Sequence, residues 1–249
     1  MALHPLAEQF ASVAGAYERG RPDYAPAVVG ALVAELGIAP DAPVLDLGAG
    51  TGKLSRALLA AGLDVVAVEP QAALRETLAA HVGIERALEG RAEAIPLPDD
   101  AVDAVTVADA FHWFDQAAAL AEIRRVLRPG GGLAVLWTAP DWSGASWAHE
   151  IVAMLQRLRP EHPGFDGPPW QETARALGTW SAPREIGVRT AYPADRQRIL
   201  DYLASVSWVA ASSEAQRTEM LARAAAIVDA TDIPAELSVQ TVIGLTSPA

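Results

Sequence analysis

Asp46, the glycines Gly48, Gly50 and Gly52, and Glu69 are the residues whose types and spacing can do chemistry in this chain. The glycines stand at alternate positions in Asp46-Leu47-Gly48-Ala49-Gly50-Thr51-Gly52, directly after the apolar pair Val44-Leu45. Glycine lets a backbone turn sharply and approach a ligand that a β-carbon would push away. Glu69 ends a second apolar run, Val65 to Val68, and precedes Pro70. A carboxylate there can accept from both hydroxyls of a ribose, and Pro70 offers a flat apolar edge to a base. In open α/β sheets, ligands bind in the crevice beyond the strand ends. The two acid-ended strands therefore mark a nucleoside site.

Spacing decides which nucleotide. The dinucleotide fingerprint G-x-G-x-x-G would need a glycine at Lys53. The phosphate loop G-x-x-x-x-G-K-[ST] would need a glycine at Leu47 and a hydroxyl at Leu54. Neither condition is met. The motif is G-x-G-x-G with an acid two places before its first glycine.

The elements that must hold these residues read as a parallel α/β sheet, because apolar runs alternate with helical patterns. Strands are expected near Val44–Leu47, Val65–Glu69, Glu85–Glu89, Val102–Val107 and Leu133–Trp137. Helices fall between them near Lys53–Ala61, Gln71–His81 and Asp115–Leu127. Asp115 can cap the last of these, Leu120, Ile123, Val126 and Leu127 share one face, and Pro129-Gly130 stops it. Two earlier helices are expected near Leu6–Tyr17 and Pro26–Leu36, and a helical stretch from Asp195 to Val228 reads as two helices. Thr138 to Arg184 breaks the rhythm with tryptophan, proline and glycine; a helix is expected over Ser146–Leu158 and the rest is irregular. Long connections in compact domains are often lids, and pocket walls favour aromatic side chains. The segment is expected to cap a substrate, although each tryptophan alone would serve equally well as packing.

Several stretches now add up to a resemblance. After Asp46–Gly52 and Val68-Glu69-Pro70 come Arg91-Ala92-Glu93-Ala94-Ile95-Pro96-Leu97-Pro98, Ala108-Asp109-Ala110-Phe111-His112-Trp113-Phe114, and Arg125-Val126-Leu127-Arg128-Pro129-Gly130-Gly131. Tyr17 with Arg21-Pro22-Asp23-Tyr24 precedes them. In this order the chain resembles a class I S-adenosylmethionine-dependent methyltransferase, of the small-molecule branch that includes quinone C-methyltransferases and trans-aconitate methyltransferase-like proteins. The resemblance implies a Rossmann-like, doubly wound, mostly parallel seven-stranded sheet with helices on both faces and a helical or irregular cap. It also implies one domain over residues 1–249: a cofactor core at about 37–137, an N-terminal element 1–36 and a cap 138–184, then closing strands with inserted helices over 185–249.

The resemblance also implies roles. S-adenosylmethionine would be held by Asp46, Gly48, Ala49, Gly50, Gly52, Glu69 and Pro70, with Ala92 and Glu93 at the adenine. Asp109, Ala110 and Phe111 would line the cofactor beneath the substrate. Arg21 is the candidate partner of the methionine carboxylate, with Tyr17 closing over it. Asp46 is expected to act through the loop and the amino group. His112 stands inside a motif and is either a base, since its pKa range suits proton removal, or a positioning group; His149 and His162 are weaker candidates. Trp113, Trp137, Trp142 and Trp170 are the substrate candidates. Gly167-Pro168-Pro169-Trp170 imitates the [DNS]-P-P-[YFW] motif of amino methyltransferases. Its first residue lacks an acceptor, and it does not follow the fourth strand, so nucleobase amine methylation is rejected.

Bulk composition narrows the classes further. The chain has 249 residues, no cysteine, and 19 basic against 31 acidic residues, a formal charge of −12. Lysine and arginine supply affinity for phosphate backbones, so nucleic acid is not expected as a partner. Without cysteine, a thiolate nucleophile, a cysteine metal site and cluster-based radical chemistry are excluded within the chain. No acidic cluster suggests a metal. Met1 to Phe10 lacks a basic region and holds Glu8, and no apolar run reaches the roughly eighteen residues of a membrane helix; a cytoplasmic protein acting on a small molecule is expected. The expected reaction is methyl transfer from S-adenosylmethionine, leaving S-adenosylhomocysteine. The alternative is a cofactor-binding protein of the same fold used as a cyclase, hydrolase or non-catalytic partner. A nicotinamide oxidoreductase is disfavoured by Lys53.

Overall fold

The computed structural model describes residues 4–249. The expectation about Met1–Phe10 therefore falls partly outside the described residues. The strands are β1 (Pro43–Leu47), β2 (Asp64–Val68), β3 (Ala87–Leu88), β4 (Val102–Ala108), β5 (Leu127–Pro140), β6 (Arg184–Pro193) and β7 (Glu236–Thr246). They form one seven-stranded sheet in the order β3-β2-β1-β4-β5-β7-β6. The pairs β1/β2, β1/β4, β2/β3 and β4/β5 are parallel. The order reverses between β1 and β4, the switch point where ligands of such sheets bind.

The chain divides into two compact units. The sheet unit comprises Asp23–Thr138, Pro163–Val188 and Thr241–Ala249; the helical unit comprises the residues through Pro22, Ala139–His162 and Arg189–Gln240. The expected cap 138–184 is thus divided, its first half lying in the helical unit and Pro163–Val188 in the sheet unit.

In the sheet unit, successive residues of β1 feed different cores, as strand alternation requires. Leu45 and Leu47 join Val105, Val107, Leu120 and Ile123. Val44 joins Val65, Leu58, Val29 and Leu32. The helices Gln116–Val126 and Pro26–Leu36 supply these two sets, so both faces are covered and the strands read as continuous apolar runs. Asp115 caps its helix, accepting from the Ala118 amide at 3.2 Å. The expected stop at Pro129-Gly130 comes earlier: the helix ends at Val126, Leu127 is already extended, and β5 begins there. The segment expected to be irregular holds two further helices, Pro163–Asp166 and Trp170–Leu177.

In the helical unit, the expected helix over Leu6–Tyr17 is three pieces: Pro5–Glu8, a 3-10 turn Gln9–Val13, and Ala14–Gly20. The pair expected between Asp195 and Val228 is also three: Arg196–Ala204, Ser207–Ala211 and Glu214–Asp229. Ser213 opens the last with a capping box to Gln216, the local signal that divides the stretch. Ile151, Ile199, Leu203, Val209 and Ala224 form the unit's core. Among the described residues, no helix is long and apolar enough to cross a membrane.

Candidate functional site

The glycine turn is built at the carboxyl end of β1. Gly48, Gly50 and Gly52 have φ values of 72°, 59° and 88°, in the left-handed region that side chains with a β-carbon disfavour. The amides of Gly48 and Ala49 donate to the Val68 carbonyl at 2.9 and 3.1 Å, which fastens the turn to the end of β2. A β-carbon on Gly48 would stand 2.9 Å from Ala110 Cβ and 3.2 Å from Phe114 Cζ, so the turn and the segment after β4 meet directly. At Gly50 a β-carbon would meet nothing within 4 Å. The turn therefore presents bare backbone at its middle.

Two buried carboxylates flank this turn. Asp46, 1% exposed, accepts from Ser55 Oγ at 2.5 Å through Oδ2. Its Oδ1 is buried, with no hydrogen-bond partner among the described residues. Burial pushes the Asp46 carboxyl up to about 6, against the opposing pull of the Ser55 hydroxyl, the Ser55 amide and the Thr106 hydroxyl. Leaving a buried acceptor unmet is costly, and an ammonium donor would satisfy it. Glu69, 4% exposed, accepts from the Gly50 amide through Oε2 and the Gln71 amide through Oε1, both at 2.9 Å. Burial raises its pKa as well, while the two backbone amides pull the other way. Each carboxylate oxygen has a second lone pair, so Glu69 holds the turn and keeps acceptor capacity.

The next expected residues serve the fold visibly. Ala92 is part of the sheet core. Glu93, expected at the adenine, accepts from the Asp115 amide at 3.0 Å and pairs with Arg91 at 3.3 Å. Asp109 adopts φ 52°, a strained value for a residue with a side chain. Its Oδ1 accepts from the Thr138 amide at 3.0 Å and its Oδ2 from the Tyr24 hydroxyl at 3.2 Å. It thus ties the ends of β4 and β5 to Tyr24. Phe111 is buried in the core beside Trp170, ring centroids 5.8 Å apart. Trp170 also lies where a β-carbon on Gly244 would stand, 2.6 Å from Cζ2. Its placement is that of a packing side chain. His112 lies 4.4 Å from the Trp113 ring and 5.2 Å from the Trp137 ring.

Tyr17, Arg21 and Trp142 belong to the helical unit. Arg21 donates to Ser205 Oγ at 2.8 Å, and its guanidinium lies 5.4 Å from the Tyr17 ring centroid and 4.8 Å from that of Tyr202. Gly20 is clamped beside it, since a β-carbon there would stand 2.1 Å from the Tyr202 amide. Trp142 packs against Trp147 and Tyr202. His162 is buried beside Trp208 in the same unit.

Sequence reasoning missed four participants in the sheet unit. Tyr24 and Asp23 were visible only as letters of Arg21-Pro22-Asp23-Tyr24. Lys53 buries its stem and pairs with Asp23 at 2.8 Å, which links that motif to the helix after the glycine turn. Phe165 carries no motif, and its contact with Trp137 arises only in three dimensions. Among the described residues no group of three or more His, Asp or Glu side chains is arranged to hold a metal ion.

The chain is similar to known proteins in sequence and in fold. The methyltransferase domain family matches residues 45–135, which run from β1 through most of β5. The chain is similar to an uncharacterized methyltransferase of Mycobacterium tuberculosis, 40% identical over 214 residues, covering 86% of this chain and 83% of the relative. It is similar over 109 residues, at 45% identity, to the demethylmenaquinone methyltransferase of Thermus thermophilus, covering 41% of this chain and 50% of that protein. In fold it is similar to the crystal structure of an Anabaena variabilis protein named as a methyltransferase, with a TM-score of 0.64 at 21% identity, covering 90% of this chain and 98% of the other.

Proposed function

The chain belongs to the class I S-adenosylmethionine-dependent methyltransferases, and we propose that it methylates a small organic molecule using the turn at Gly48–Gly52 as its cofactor seat. The unmet, buried Oδ1 of Asp46 carries this reading. It fits the ammonium of the cofactor's methionine part, and bare backbone at Gly50 fits close approach of the nucleoside. The second lone pairs of Glu69 take the ribose hydroxyls, Pro70 packs on the base, and Ala92 and Glu93 border the adenine. Arg21, flanked by Tyr17, takes the methionine carboxylate. When bound, S-adenosylmethionine supplies a methyl group already activated on a sulfonium, so no residue is needed to protonate the leaving thioether.

The protein's task is then to position donor and acceptor and to exclude water, which supplies much of the rate in such displacements. Asp109, Ala110 and Phe111 form the floor at the switch point. His112 either removes a proton from the acceptor or fixes its orientation, and Trp113 and Trp137 wall the acceptor side; Trp142 and Trp170 are weaker members of that wall because their contacts are those of packing. An acidic chain of charge −12 supports a small acceptor over a nucleic acid. Calorimetry with S-adenosylmethionine, S-adenosylhomocysteine and NADH tests the seat. Saturable binding of the first two and none of the third is expected; tight NADH binding, or no binding of either sulfur compound, overturns the reading.

A further inference from the structure

Trp137 is the anomalous side chain of β5. Its strand lies inside the sheet, between β4 and β7, and its neighbours Leu136 and Thr138 are buried. Trp137 is 38% exposed. On a strand whose faces are covered, side chains alternate between two packed layers. Cover on the Trp137 face therefore stops short of the carboxyl end of β5. Phe165, 53% exposed, stands against it with ring centroids 5.8 Å apart and planes at 83°. His112 closes a third side at 5.2 Å from Trp137. Neither Trp137 nor Phe165 belongs to the packed clusters of the sheet unit.

The exposed Phe165 is nonetheless held firmly. Its short helix Pro163–Asp166 is closed by the Gly167 amide on the Pro163 carbonyl at 3.2 Å. A β-carbon on Gly167 would lie 2.6 Å from that carbonyl oxygen, so the turn closes only on glycine. Gln116 Nε2 donates to the Pro168 carbonyl at 3.1 Å, and Thr173 Oγ1 donates to Gln116 Oε1 at 2.6 Å. Trp170 seats the end of the segment on Phe111. Gly167-Pro168-Pro169-Trp170, rejected above as a catalytic motif, thus fastens Phe165 to the sheet unit. The chain thus fixes an exposed phenylalanine in contact with an exposed tryptophan at the carboxyl end of β5.

We propose that Trp137, Phe165 and His112 form the acceptor platform, and that the acceptor is a planar aromatic ring. This deepens the methyl-transfer reading and rests on it. Two flat faces nearly at right angles make a corner suited to a slab. A ring lying on Trp137 presents its edge to Phe165, and stacked and edge-to-face contacts are the preferred aromatic geometries. A compact cation is fitted less well, since the two rings touch each other and do not stand apart around a central charge. A saturated, puckered molecule of equal size would meet only one wall.

The test uses the full chain and 2-naphthol, with decahydro-2-naphthol as the saturated match and tetramethylammonium as the cationic one. Each is titrated with and without S-adenosylhomocysteine, read by tryptophan fluorescence and calorimetry. 2-Naphthol is expected to bind at least ten-fold more tightly than either comparison compound. Phe165→Ala and Trp137→Leu should each weaken 2-naphthol by roughly three- to ten-fold, with the melting temperature little changed for the Phe165 variant, whose side chain is the more exposed. Equal affinity for the saturated alcohol, displacement by tetramethylammonium, no 2-naphthol binding, or unchanged 2-naphthol affinity in both variants overturns the platform. Failure of the parent to bind S-adenosylhomocysteine instead defeats the cofactor seat, and the titrations without that compound keep the two failures apart.

Discussion

Asp46 offers the sharpest perturbation, because folding alone loads it with a measurable cost. Its pKa rises from 3.8 to about 6 on burial. Between these values the folded chain holds a proton that the unfolded chain has released. Stability from this group is therefore fully present below the unfolded value and is lost as pH rises through 6. The full loss is about 3 kcal/mol, from roughly 1.36 kcal/mol per pH unit, and about 2 kcal/mol of it falls between pH 4.5 and 8. For a chain of this length that corresponds to about 4–8 °C in melting temperature. Glu69 is raised by burial too, with the nearby Asp46 charge as the smallest of its causes, so both carboxylates act on stability with the same sign.

Asp46→Asn removes the ionisation and keeps an acceptor for Ser55. Urea unfolding of the ligand-free protein at pH 4.5 and 8 gives the parent and variant slopes, and the difference between them isolates the carboxylate. The variant is expected to lose about 2 kcal/mol less than the parent over this interval, whatever its absolute stability. The same substitution should weaken S-adenosylhomocysteine by about ten- to a hundred-fold, because a hydrogen bond to a charged group is worth roughly 1.5–3 kcal/mol. At pH 6, binding to the parent should release about half a proton, visible in buffers of different ionisation enthalpy. Parallel pH profiles for parent and variant would refute the burial argument; absent proton release would refute the assignment of Oδ1 to the ligand.

Gly50→Val should abolish cofactor binding by calorimetry, since a side chain would project from the bare backbone at φ 59°. Gly178→Val, with φ 64° and equally open surroundings, carries the same backbone strain away from the turn and should leave affinity intact. Glu69→Ala should weaken S-adenosylhomocysteine by about ten- to a hundred-fold and also speed hydrogen exchange of the Gly50 amide, which loses its acceptor; an unchanged exchange rate would contradict the tie. Trp170→Ala should lower the melting temperature, consistent with a loss on the order of 3 kcal/mol for a packed tryptophan, whereas selective loss of turnover at full stability would return Trp170 to the acceptor wall.

The parts legible in the sequence are those where local pattern and tertiary role coincide. β1, β2 and β4 are covered on both faces, so their burial writes itself as apolar runs, and the glycine turn shows because its backbone angles demand glycine. Asp115 was readable because a cap acts within three residues of itself. The second duties of the acids were not readable. Glu69 meets the Gly50 amide across 19 positions, and Asp109 meets Tyr24 across 85. No spacing rule connects such pairs. Arg21 was recognisable from its neighbours, but the Ser205 that holds it stands 184 positions on. The cap shows the opposite failure. Tryptophan and proline content grouped 138–184 as one element, yet contacts divide it after His162, with Trp142 packed in one unit and Trp170 in the other.

The two buried acids also differ in what a ligand can add. A carboxylate offers about four acceptor sites, and in Glu69 one on each oxygen already serves the chain. Removing Glu69 therefore subtracts a fold contact and a ligand contact together, and the measured loss cannot be assigned to either alone. Asp46 is partitioned by atom. Oδ2 belongs to Ser55, while nothing among the described residues uses Oδ1. Burying an unmet acceptor raises the free energy of the ligand-free protein, and a donor that meets it lowers the energy of the complex by the same interaction. Ligand binding should then appear as stability, about 2.7 kcal/mol at a hundred times the dissociation constant. That gain should grow with pH through 6, opposite in direction to the stability of the ligand-free chain. Opposed slopes in one titration would attribute to a single carboxylate both the strain of the fold and the grip on its cofactor.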